Sequence, residues 1–172
     1  MKLAYKILHF FILIICLVLQ IGFIEHLKLY SINFDLIMVV LVAVSLIDGV
    51  LSGICYGFVA GILLNLMVGD IVGISAFIYV MDAFIASRLI EVGFRRKILS
   101  FVFIIFLITE INLIVTSTVY YLFNYNISIS GSGLEMLAGP ACNIILAFFI
   151  FPIIEIGTSR EYEPGLWHKK KN

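Results

Sequence analysis

Residues 46–77 read LIDGVLSGICYGFVAGILLNLMVGDIVGISAF, and the spacing inside this stretch decides the fold. Small or near-small side chains recur at every fourth position: Gly49, Gly53, Gly57, Gly61, Asn65, Gly69 and Gly73. A four-residue step keeps Gly49 to Gly61 close to one stripe of an α-helix. In water, each glycine inside a helix costs about 1 kcal/mol against alanine. In a bilayer the same stripe lets two helices approach closely, and van der Waals contact then drives their association. The stretch therefore predicts a membrane helix that serves as a packing hub, with the whole stripe as its helix-packing or partner-facing surface.

The rest of the chain agrees with this environment. Of its 172 residues, 63% are hydrophobic and only 13% charged. The mean hydropathy is +1.18. Soluble domains are roughly 45–50% apolar and about 25% charged. A chain of this length cannot hide so much apolar surface from water, so lipid is expected to cover it. The formal net charge is zero, which argues against nucleic acid as a partner. Cys16, Cys55 and Cys142 all fall in apolar runs and do not form a disulfide framework.

Working outward, hydropathy predicts an all-α polytopic membrane protein of about six transmembrane helices. The approximate spans are 7–24, 31–47, 50–68, 71–89, 98–123 and 136–156, in a single integral membrane domain covering 1–172. The first run follows Lys2 and Lys6 but lacks a small-residue cleavage site, so it is read as a retained span. The second is the weakest, with Asn33 and Asp35 at its start and Asp48 at its end, and is expected to be short, tilted or interfacial. Gly139-Pro140 is expected to open the last span, where proline does no harm. Ten of the eleven basic residues fall on one side if the amino terminus is inside, and only Lys28 falls on the other. This positive-inside bias predicts both termini in the cytoplasm, N-in and C-in. The tail Trp167-His168-Lys169-Lys170-Lys171 suits a membrane interface.

Polar side chains within the spans carry the functional interest, because a charge at mid-bilayer is costly. Asp82, Glu110, Asn112 and Asn143 are the intramembrane polar candidates, beside Asn65 of the stripe. No basic residue lies at mid-depth to pair with either acid, so protonation or bonding to amides such as Asn112 or Asn65 is expected. Asp35, Asp48, Asp70, Glu25 and Glu155 lie at span ends, where solvated or helix-capping roles are the expectation. His9 and His26 lie near opposite faces, and no metal or cofactor site is expected. No metalloprotease, nucleophile-elbow or phosphate-loop motif is present, so the sequence gives catalysis no support.

These residues resemble a known family. Asn33-Phe34-Asp35-Leu36-Ile37, then Gly57-Phe58-Val59-Ala60-Gly61-Ile62-Leu63-Leu64-Asn65-Leu66, then Gly69-Asp70-Ile71-Val72-Gly73, is similar to the rod-shape-determining protein MreD, with Gln20 and the six-span layout adding to the likeness. In that family a Pro-Asp or Pro-Asn commonly stands where this chain has Asn33-Phe34-Asp35, and aspartate commonly stands at the position of Asn65. Asp35 is the family-motif acid. The resemblance implies a fold like that of the six-helix membrane subunits that capture vitamins for energy-coupling-factor transporters. It also implies a non-catalytic scaffold in the bacterial inner membrane. The implied partner is an MreC-like bitopic protein, with MreB, a RodA-type glycosyltransferase and a class B penicillin-binding transpeptidase in the wider complex that builds lateral peptidoglycan. The rival reading is the substrate-binding subunit of a vitamin transporter.

Overall fold

The computed structural model describes residues 2–24, 35–69, 71–91, 98–123 and 135–158. Six α-helices account for nearly all of them: α1 (Lys2–Leu19), α2 (Leu36–Asp48), α3 (Val50–Val68), α4 (Ile74–Glu91), α5 (Ile98–Leu122) and α6 (Glu135–Thr158). A π-helical turn, Gln20–Ile24, continues α1. Expectations for Glu25, His26, Lys28, Asn33, Asp70, the basic cluster at 95–97, the loop at 124–134 and the tail fall outside the described residues.

The helix ends follow local chemistry. Asp35 caps α2: its backbone is extended and its carboxylate accepts from the Met38 N–H at 2.9 Å. This satisfies a donor that the first turn otherwise leaves unpaired. A single residue, Gly49, separates α2 from α3, and its φ of 92° belongs to a region open almost only to glycine. At the far end of α3, Gly69 adopts the left-handed conformation and its N–H bonds to the Asn65 carbonyl at 3.0 Å. Gly73, φ 104°, then leads into α4. Gly49, Gly69 and Gly73 thus continue the four-residue rhythm without continuing the stripe, because each sits in a turn. Pro140 also departs from expectation: α6 begins at Glu135, so the proline lies inside the helix, as does Pro152.

The short α2 is the centre of the bundle. Its residues Ile37 to Ser45 are all buried, and α1, α3, α4 and α6 pack around it. The span that looked weakest is therefore the most enclosed helix among the described residues. Its polar ends suggested exposure, whereas neighbouring helices shelter them.

Outward, the bundle is apolar. Phe11 and Ile15 of α1, Phe58 and Leu66 of α3, Phe77 of α4 and Phe149 of α6 are all exposed. Soluble monomers rarely show large contiguous apolar surfaces. Two stretches, Val50–Val68 and Ser100–Val119, are long and apolar enough on their own to cross a membrane. Shorter apolar helices, among them Leu36–Asp48, accompany them.

Candidate functional site

The glycine face of α3 packs against this chain's own helices. A β-carbon built on Gly57 would come within 2.9 Å of the Tyr79 carbonyl oxygen on α4. One on Gly61 would collide with the backbone of Ser75 and Ala76, and one on Gly53 with the Ser45 side chain of α2 while pressing to 3.1 Å from Ala83 Cβ. The contacts run antiparallel, since Gly53, Gly57 and Gly61 meet Ala83, Tyr79 and Ala76 in turn. Ala76, Ala83 and Ala86 are themselves buried, so α4 brings a small-residue face of its own.

Asn65, 2% exposed, is also turned into the bundle. Its Oδ1 accepts from the Gly73 and Ser75 N–H groups at 3.2 and 3.1 Å, and its Nδ2 donates to Ser75 Oγ at 2.9 Å. The side chain therefore shapes the connection from α3 to α4 and caps the start of α4. An aspartate at this position would accept the same two N–H groups, with the Ser75 hydroxyl switching from acceptor to donor. Asparagine and aspartate are interchangeable in that geometry.

The polar residues converge at the end of the bundle where α2 starts. Asp35 Oδ1 accepts from Gln20 Nε2 at 3.1 Å, and Tyr79 OH lies 2.9 Å from Oδ2. The Asp35 N–H donates to Asn143 Oδ1 at 2.8 Å, and Asn143 Nδ2 donates to Thr109 Oγ1 at 3.0 Å. Gln20 also uses its Oε1 to accept from the Ile37 N–H at 2.9 Å. One acid thus ties the π-turn after α1 to α2, α4 and α6, and through Asn143 to α5. The π-turn begins at Gln20, whose amide bonds both a first-turn donor of α2 and the Asp35 carboxylate.

A second polar pair lies between α4 and α5. Asn112 Nδ2 donates to Asp82 Oδ2 at 2.9 Å, so Asn112 is the amide that Asp82 takes, not Asn65. Asp82 is fully buried, and its Oδ1 has no partner among the described residues. Arg88 stacks over the Phe84 ring at 5.3 Å. Glu110 stands apart: it is half-buried at the middle of α5 and makes no hydrogen bond with Asn112 or any other described residue.

A third pair joins α1 to the other end of α2. His9 Nδ1 and Asp48 Oδ2 are 2.6 Å apart, with His9 fully buried and its Nε2 unpartnered among the described residues. The sequence reading set these residues apart, one as an isolated histidine and one as a capping acid. Their shared location near one end of the first two spans was the available signal. Tyr79, Ser75 and Thr109 left no such signal. Among the described residues, no three His, Cys, Asp or Glu side chains gather in a way that could hold a metal.

An all-helical bundle, apolar outside and tied inside by hydrogen-bonded polar side chains, defines the class: a helical membrane-type protein. The family model of the rod shape-determining protein MreD matches residues 1–156, and the chain belongs to that family. No curated protein and no solved structure matches the chain. Membership makes this a membrane protein of a family that determines rod shape.

Proposed function

We propose that the chain is a non-catalytic, six-span scaffold of the bacterial cytoplasmic membrane that binds an MreC-like bitopic partner and supports lateral peptidoglycan synthesis. Both termini face the cytoplasm, which puts the Asp35 cluster toward the outer side and the His9–Asp48 pair toward the inner side. MreB, a RodA-type glycosyltransferase and a class B penicillin-binding transpeptidase are its indirect partners in the cell-elongation complex.

One observation carries the choice of scaffold. The family-motif acid Asp35 has its carboxylate occupied by Gln20, Tyr79 and the Met38 N–H. An acid that relays protons or seats a substrate needs an oxygen directed at that species. This one holds helices together. A carboxylate spent in this way suits a rigid platform on which other proteins assemble.

The test is co-purification in mild detergent of the tagged chain with the MreC-like protein of the same organism. Stoichiometric capture is expected. A well-folded chain that captures nothing, yet binds a vitamin in a ligand screen, would replace the scaffold with the transport reading.

A further inference from the structure

The two halves of α5 differ in how they are covered. Its first half gives Phe101, Ile104, Ile105, Ile108 and Thr109 to the core. From Glu110 to the end of the helix, no residue whose burial is described is fully buried. At about 100° per residue, Glu110 lies opposite the face formed by Ile104, Ile108 and Asn112. It therefore points away from the bundle, on a face shared with Phe106, Ile114 and Tyr121, all of them exposed.

An acid at the midpoint of a 25-residue apolar helix, directed outward, is the costliest place for a carboxyl group in a bilayer protein. It is tolerated where a donor from another helix meets it. No described residue of this chain donates to Glu110. Among the described residues, Lys2, Lys6 and Arg88 are the only Lys and Arg, and each lies close to a helix end. A second copy related by a two-fold axis would bring Glu110 against Glu110. We infer that the outward face of α5 centred on Glu110 docks one transmembrane helix of a different protein, carrying a basic or amide donor at mid-depth. The glycine face of α3 is covered by α2 and α4, so α5 offers the surface that α3 cannot. This inference rests on the scaffold reading and adds the contact surface to it.

The experiment uses the full chain co-expressed with the MreC-like protein, as wild type, Glu110→Leu, Glu110→Gln and Phe58→Leu, the last changing an exposed residue of α3. Glu110→Leu should cut capture by about tenfold, the upper range for one interhelical hydrogen bond. Glu110→Gln should keep most of it, and Phe58→Leu all of it. The melting temperature of the isolated Glu110→Leu chain should not fall, which separates docking from folding. As a second readout, a photo-crosslinking benzoylphenylalanine placed at Ile114 should join the partner, and one at Phe58 should not. Full capture by Glu110→Leu, or crosslinks from position 114 to a second copy of the chain, would overturn the proposal. If the wild type captures no partner, the scaffold reading fails and the docking face with it. If wild type and Glu110→Leu capture equally, only the docking face fails.

Discussion

The α3–α4 seam and the Asp35 cluster hold helices of one bundle together by different physics. Along the seam, Gly53, Gly57 and Gly61 remove side chains so that Ala83, Tyr79 and Ala76 can come close. Its strength is contact area at short range, and its weakness is any added atom. In the cluster, Asp35, Gln20, Tyr79, Asn143 and Thr109 trade hydrogen bonds across five helices. Each such bond inside a membrane protein contributes only about 0.6 kcal/mol on average, so the cluster gains from number and from leaving no donor bare. The seam should therefore fail abruptly and the cluster by degrees.

Graded substitutions test that contrast through unfolding in detergent. Gly61→Leu should be the most damaging. Its added carbons meet the backbone of Ser75 and Ala76, which cannot swing aside, and a loss of about 3 kcal/mol or outright misfolding is expected. A normal melting temperature would show that the two helices are free to separate. Asp35→Ala should come next, near 2 kcal/mol by the cost of stranding buried donors, here Gln20 Nε2, the Tyr79 hydroxyl and the Met38 N–H, so about 2 kcal/mol is the figure to compare. Asn65→Ala should cost about 1 kcal/mol, the usual value of a lost helix cap, and Asn65→Asp should recover most of it. Tyr79→Phe should be mildest, about 0.6 kcal/mol, because Asp35 keeps its other donors. A Tyr79→Phe loss as large as that of Asp35→Ala would mean the cluster fails as a unit, like the seam.

The seam was half legible in the sequence and the cluster hardly at all. Four-residue spacing marked α3, and its bounds at Val50–Val68 coincide with the expected span. The facing residues Ala76, Tyr79 and Ala83 were not singled out, because the stripe did not say which helix would meet it. Hydropathy rather than spacing set the ends: Gly49 and Gly69 kept the rhythm yet fell in the gaps between the expected spans, and Gly73 leads into α4. Asp35 could be named through the family resemblance, but its partners could not. The Asp35–Asn143 bond spans 108 positions of sequence, and a bond at that separation leaves no local periodicity. The same limit hid the enclosure of α2. Acids at both of its ends looked like contact with water, whereas Gln20, Tyr79 and Asn143 shelter one and His9 the other. Asp82 and Glu110 looked alike as intramembrane acids. Rotation about their helices separates them, one facing inward onto Asn112 and the other outward.

The brevity of α2 bears on how the protein is made. Thirteen residues rise about 20 Å, short of the ~30 Å hydrocarbon layer. Alone in lipid, α2 would place Asp35 and Asp48 where no water reaches them. As the chain leaves the ribosome, α1 is already present to offer His9 and Gln20, and α3 follows one residue behind. Tyr79 arrives only with α4, and Asn143 only with α6, the last helix of the six. The innermost helix is thus among the first to be synthesised and the last to be enclosed. Until α6 is in place, the Asp35 end of α2 lacks the Asn143 side chain that accepts from its backbone N–H.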